Sequence, residues 1–198
     1  MDVAPYMTRP LGDGEYASSV LSMSWGKGDP HKDAITVTFL DEAGRMRENT
    51  KLDNLHDAEL LDEFYDILRR RKPDVIAIGG FSMTTLKLAH RIKEVLKGSD
   101  DNSQSFDIPV VYVRDEVARI YQHSKRANDE FPSLSPIAKY CVGLGRYIQS
   151  PLNEYAALGA DITAITFSEE DQHLVCSKIT LLTLLSFLML CRSPKRSC

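Results

Sequence analysis

The residue types that most often carry chemistry are scattered along this chain rather than gathered. His31, His56, His90, His123 and His173 show no ligand spacing, and Cys141, Cys176, Cys191 and Cys198 contain no C-x-x-C pair. Neither a zinc site nor a disulfide framework follows from them. Cys141 falls on the apolar face of a helical stretch, where a cysteine serves as a small core residue. Gly79-Gly80 precedes a helix start, the first requirement for holding a phosphate at a helix N-terminus. It lacks the G-x-G-x-x-G and G-x-x-x-x-G-K-[ST] wording of nucleotide-binding loops. Two basic groups are candidates for contact with nucleic acid or an acidic partner. One is Arg119, Lys125, Arg126 and Arg146 near Tyr121, and the other is the run Arg69-Arg70-Arg71-Lys72. A solvated helix face is the simpler account of both.

Composition narrows the classes further. The 198 residues suit one ordinary domain with tails and are enough to bury a core. Charged residues make up 26% and hydrophobic ones 43%, the mix of a globular chain rather than a disordered one. With 24 Lys plus Arg against 28 Asp plus Glu, the net charge of -4 offers no long-range attraction to nucleic acid or to an anionic membrane. The N-terminus lacks the basic-then-apolar run of a signal sequence, and with the cysteine pattern this predicts a reduced intracellular setting.

The elements that must position these residues can be read in order. Residues 1–17 are a polar leader or linker, with Pro and Gly interspersed. Residues 18–25 suit a buried strand, and 34–40 alternate with many β-branched residues, predicting a second. Asp41 to Gly44 makes a hairpin turn into a polar edge strand over 45–53, so the first three strands form an antiparallel meander. The pattern then changes to helix and strand in alternation. Asp57 caps a helix carrying Leu60, Leu61, Phe64, Ile67 and Leu68, and Pro73 stops it. Residues 74–80 and 108–113 are continuous apolar runs, as strands buried on both faces are. Between them Ser82 caps a helix with Leu86, Ala89, Ile92, Val95 and Leu96 inward, and a polar loop covers 97–106. Asp115 caps a helix that runs to Phe131 and ends at Pro132. Ser135-Pro136 starts another, and Pro151 breaks it into a third.

Strands in a meander followed by helix, strand, helix, strand and helices give the element order of the ribonuclease H-like fold, a mixed five-stranded α/β sheet flanked by helices. The words VLSMSWGKGDPHKDAITVTFLDEAGRMRENTKLDNL, RRRKPDVIAIGGFS, EVARIYQHSKRANDEFPSL and YCVGLGRYIQSPLNEYAALG closely resemble one family. It is the YqgF-like, RuvC-like (ribonuclease H-like) domain of the eukaryotic transcription elongation factor and histone chaperone suppressor of Ty, number six, in fungal-looking form. The bacterial Tex protein shares the pattern more distantly. The resemblance places the domain at 18–168. It leaves 169–198 as a C-terminal extension that diverges from about residue 177.

Active nucleases and resolvases of this class hold divalent metal with clustered carboxylates. The resemblance implies that Ser24, in Ser24-Trp25-Gly26, stands where the first-strand acid belongs, and that Ser150 stands where Tex has aspartate. The strand ending at Gly79-Gly80 carries no second acid, and a hydroxyl is a poor substitute for a carboxylate on a hard cation. Asp29 and Asp161 lie nearby in sequence and read as turn and loop residues. The resemblance therefore implies no catalysis, no metal, no cofactor and no small-molecule substrate. It implies a structural role in the nucleus alongside RNA polymerase II, histones H3–H4 or the nucleosome, and DNA. The alternatives are a metal-dependent nuclease or Holliday-junction-resolvase-like enzyme and a small nucleic-acid-binding module. The tail ITLLTLLSFLMLC at 179–191 matches nothing that continues in the family, and a changed reading frame or retained intron is expected to explain it. Its 13 residues fall short of the roughly 20 a membrane helix needs.

Overall fold

The computed structural model describes residues 17–26, 33–53, 55, 57–80, 82–98 and 105–165. The leader, the C-terminal extension with its three cysteines, and His31, His56, His173 and Asp29 lie outside the described residues.

The five strands are β1 (Val20–Ser24), β2 (Ile35–Leu40), β3 (Met46–Leu52), β4 (Val75–Gly79) and β5 (Val110–Val113). They form one sheet in the order β3-β2-β1-β4-β5. The β1–β2 and β2–β3 pairs are antiparallel, and β1–β4 and β4–β5 are parallel. This is the mixed sheet of the ribonuclease H-like fold, with the meander and polar edge strand where the alternation placed them. Around it pack α1 (Ala58–Arg71), α2 (Met83–Lys97), α3 (Glu116–Tyr121), α4 (Lys125–Glu130), α5 (Pro136–Gln149) and α6 (Pro151–Leu158).

The period of two along the central strands divides the core. Leu21, Met23, Val37, Phe39, Ile76 and Ile78 meet Phe64, Ile67, Leu88 and Ile92 of α1 and α2. Val20, Val75 and Ala77 face the other way, onto Tyr140, Cys141 and Leu144 of α5. That helix lies almost wholly buried, because a serine cap and a proline start it and small residues let it settle on the sheet. A Cβ on Gly145 would stand 2.2 Å from Leu40 Cδ1 and 2.7 Å from Ser22 Oγ, so glycine sets how closely helix and strand approach. Cys141 is fully buried in this layer, and burial pushes its thiol up to about 12.

Several local expectations fail for physical reasons. The helix expected from Asp115 to Phe131 is two. The Ser124 hydroxyl donates to Tyr121 O at 2.7 Å and accepts from Ala127 N at 3.1 Å, closing α3 and capping α4. Neither Asp115 nor Asp57 caps its helix with a side-chain hydrogen bond. β5 is only partly buried, since it is an edge strand with a neighbour on one side. Leu86 is 46% exposed, and Leu88, two residues on and so on the opposite side of the helix, takes the inward place.

Candidate functional site

A cleft of about 500 Å³ opens where β1 and β4 end and α2 begins, walled by Ser24, Trp25, Gly79, Gly80, Thr85, Asp115, Arg119 and Tyr140. Crevices outside the carboxyl ends of parallel strands are the usual binding places of open α/β sheets. Parallel pairing of β1 with β4 brings Ser24 and Gly79-Gly80 to the same end, as the resolvase pattern requires.

The donors in this cleft do not suit a divalent metal. Ser24 offers a neutral hydroxyl. A Cβ on Gly79 would fall 2.0 Å from Tyr140 Oη, so the tyrosine hydroxyl already occupies the space where a side chain on that strand would begin. Gly80, at φ +82°, bears against Asp115, whose Oδ2 would lie 3.2 Å from a Cβ there. Asp115 is the carboxylate of the cleft wall, and its Oδ2 is engaged twice. It accepts from Tyr140 Oη at 3.1 Å and from Arg119 Nε at 2.8 Å. Burial lifts the Tyr140 phenol far above the usual tyrosine range, and the adjoining Asp115 charge and hydrogen bond lift it further. The hydrogen bond to Asp115 holds the Arg119 guanidinium above its ordinary value. Among the described residues, no three His, Cys, Asp or Glu side chains converge as a metal site.

Ser150 is not part of this cleft. It sits between α5 and α6, next to Gln149, whose Nε2 donates to Ser18 O and Asp41 O, both at 2.8 Å. Those carbonyls lie at the start of β1, whereas Ser24 ends it. The two serine positions expected to share one lost metal site therefore stand at opposite ends of a strand.

Of the four basic residues expected to form one surface, Arg126 and Arg146 stay together beside Tyr121, and Arg119 stands in the cleft instead. Arg119 lines the cleft and pairs with Asp115. Arg126 forms a two-pronged pair with Glu154 at 2.9 and 3.0 Å and lies 5.3 Å over the Tyr121 ring. Arg146 grips Glu130 at 2.8 and 2.5 Å and donates to Gly44 O and Tyr121 Oη. Burial raises the Tyr121 phenol to about 12 beneath them. Lys125 alone of the four has no ion pair among the described residues. The Arg69–Lys72 run is largely paired too, with Asp66 and Glu48. His90 pairs with Glu94 on the exposed side of α2, and Asp161 is exposed.

Sequence reasoning missed Asp115 and Tyr140 as cleft residues. The i, i+4 spacing of Asp115 and Arg119 was a usable signal. Nothing local marks Tyr140, which reaches the cleft only because α5 crosses the sheet.

The family model described as YqgF, Holliday-junction resolvase-like of SPT6, matches residues 14–159. The chain belongs to this family. It is 41% identical over 177 residues to the transcription elongation factor spt6 of Schizosaccharomyces pombe, covering 88% of this chain and 12% of that protein. The transcription elongation factor SPT6 of Mycosarcoma maydis is 38% identical over 180 residues, covering 74% of this chain and 10% of the relative. This YqgF-family chain thus spans about a tenth of the length of those curated relatives. The crystal structure of Fowlpox virus resolvase with substrate Holliday-junction DNA aligns over 65% of this chain and 94% of that one, with a TM-score of 0.35 and 15% identity.

Proposed function

We propose that this chain is a catalytically inactive ribonuclease H-like module of a nuclear transcription elongation factor and histone chaperone. In this view it acts with RNA polymerase II on chromatin, where histones H3–H4, the nucleosome and DNA are partners of the longer protein. The module serves as a scaffold that presents surfaces to neighbouring domains. What supports this most directly is the chemistry of the cleft. The first-strand position is Ser24, the Tyr140 hydroxyl fills the space beside Gly79, and Asp115 is engaged by Arg119 and Tyr140. An engaged carboxylate and neutral hydroxyls are a poor donor set for a hard cation. The family's relatives are transcription elongation factors, which agrees with a role in that machinery.

The deciding experiment incubates the full chain with branched DNA and RNA–DNA hybrid substrates in magnesium or manganese, with manganese titration calorimetry alongside. The expected result is no strand scission and no stoichiometric ion binding. Metal-dependent cleavage establishes the rival account, a nuclease or resolvase using other acids. Tight, selective capture of H3–H4 by this chain alone counts against a purely scaffolding role.

A further inference from the structure

We propose that the open edge of β3, with the arginines gathered beside it, accepts an extended acidic peptide as a sixth strand. The proposal does not depend on what the cleft does.

β3 ends the sheet, with β2 on one side and no strand beyond it among the described residues. An end strand leaves a row of backbone N–H and C=O groups without ladder partners, which is a template for another strand. Tertiary folding brings two separate sequence runs to this edge. Arg45 and Arg47 come from the β2–β3 hairpin, and Arg70 and Arg71 come from the last turn of α1. Arg71 Nη2 donates to Arg47 O at 3.4 Å, so the groups are contiguous.

Their charges are only half compensated. Among the described residues, Asp41 is the acid that pairs with both Arg45 at 3.1 Å and Arg47 at 2.7 Å. Glu48 is likewise the acid among the described residues that pairs with both Arg70 and Arg71. Burial works to raise the Asp41 carboxyl, but hydrogen bonds from Arg45 and Arg47 outweigh it and hold the group below its ordinary value. The side chains of Arg45, Arg47 and Arg70 are 66%, 45% and 57% exposed, so a ligand can reach them. Exposed Lys72 lines the same groove as Arg45 and Arg71, which Glu42 and Asp74 also line, and exposed Lys51 lies further along β3.

The edge and the charge together select the occupant. A phosphate backbone satisfies the arginines but leaves the β3 main chain without ladder partners. A basic or neutral strand satisfies the main chain but leaves the arginines unmatched. An acidic strand satisfies both. Arg47 is the extra residue where pairing passes from Phe39↔Glu48 to Leu40↔Met46, and the bulge sets the end of the added ladder.

Fluorescence anisotropy with the full chain tests this. The probe is a short labelled peptide of alternating glutamate and valine. Its controls are the same peptide N-methylated at alternate amides, a lysine–valine counterpart and a DNA duplex. The glutamate peptide should bind. Arg45→Ala with Arg47→Ala should weaken it about tenfold or more, as loss of charge-assisted hydrogen bonds does. Lys51→Glu, at an exposed position, should weaken it in a chain whose thermal melt is unchanged. N-methylation alters only the probe and should abolish binding. Equal binding of the N-methylated peptide overturns strand addition. Tighter binding of duplex DNA with the same arginine dependence makes this a nucleic-acid patch and overturns the proposal, as does absence of peptide binding at millimolar concentration.

Discussion

Replacing Gly79 with alanine asks whether the Tyr140 hydroxyl truly fills the place where an acid-bearing strand would carry its side chain. The added Cβ would lie 2.0 Å from Tyr140 Oη, 2.9 Å from its Cζ and 3.1 Å from Leu144 Cδ1. The tyrosine has little room to withdraw, being 7% exposed and bonded to Asp115. Overpacking of this kind costs about 1–3 kcal/mol, and so close an approach belongs at the upper end. Alanine recovers about 0.4–1 kcal/mol by restricting the unfolded chain, which leaves a net loss of about 2 kcal/mol. Tyr140→Phe alone should cost about 1 kcal/mol, since Asp115 keeps Arg119 when the phenol is removed. In the Gly79→Ala, Tyr140→Phe double variant the 2.0 Å contact is gone, so the combined loss should fall below the sum of the single losses by about 1 kcal/mol. Urea unfolding of the four proteins, read at constant slope, measures the cycle. Strict additivity, or a Gly79→Ala chain as stable as the parent, would refute the claim that this hydroxyl occupies the site.

Further expectations concern the rest of the core and the ion pairs. Ser22 Oγ is buried without a hydrogen-bond partner among the described residues, so Ser22→Ala should leave stability unchanged or raise it by about 1 kcal/mol. A thermal midpoint several degrees lower argues against the assigned environment. Arg126→Met strands the Glu154 carboxylate, whose side chain is 7% exposed, and should cost about 2 kcal/mol after allowance for the arginine's 41% exposure. Glu154→Gln in the same background should return part of that loss in urea unfolding. Hydrogen bonding from Arg146 holds the Glu130 carboxyl below its ordinary value of 4.5. Its contribution is therefore complete above pH 4.5 and fades as pH falls through the lower folded value. Glu130→Gln should flatten that acid limb of a melting-temperature profile, and an unaltered limb rules the pair out as its source.

Local order in this chain is readable because adjacent residues dictate it. The β-branched alternation of 34–40, the Ser135-Pro136 start and the serine cap at Ser82 each act within a turn or a strand, and each element forms where they direct. Two of the misreadings arose where a polar side chain had a choice of partners. Asp115 looks like a helix cap, yet Arg119 and Tyr140 bind it more fully than a backbone N–H would. Ser124 looks like mid-helix, yet its hydroxyl splits the helix.

Sequence by itself determined the mixed sheet, its meander, the start of α5 and the family, since hydrophobic period, turn residues and extended motif wording all travel along the chain. Only the tertiary structure decided that Ser24 and Ser150 lie at opposite ends of β1. It also placed the Tyr140 hydroxyl against Gly79, paired Arg119, Arg126 and Arg146 each with its own acid, and assembled the arginine corner beside β3. These are contacts between segments remote in sequence. They depend on how α5 crosses the sheet and how α1 ends beside β3, and no local propensity encodes that geometry.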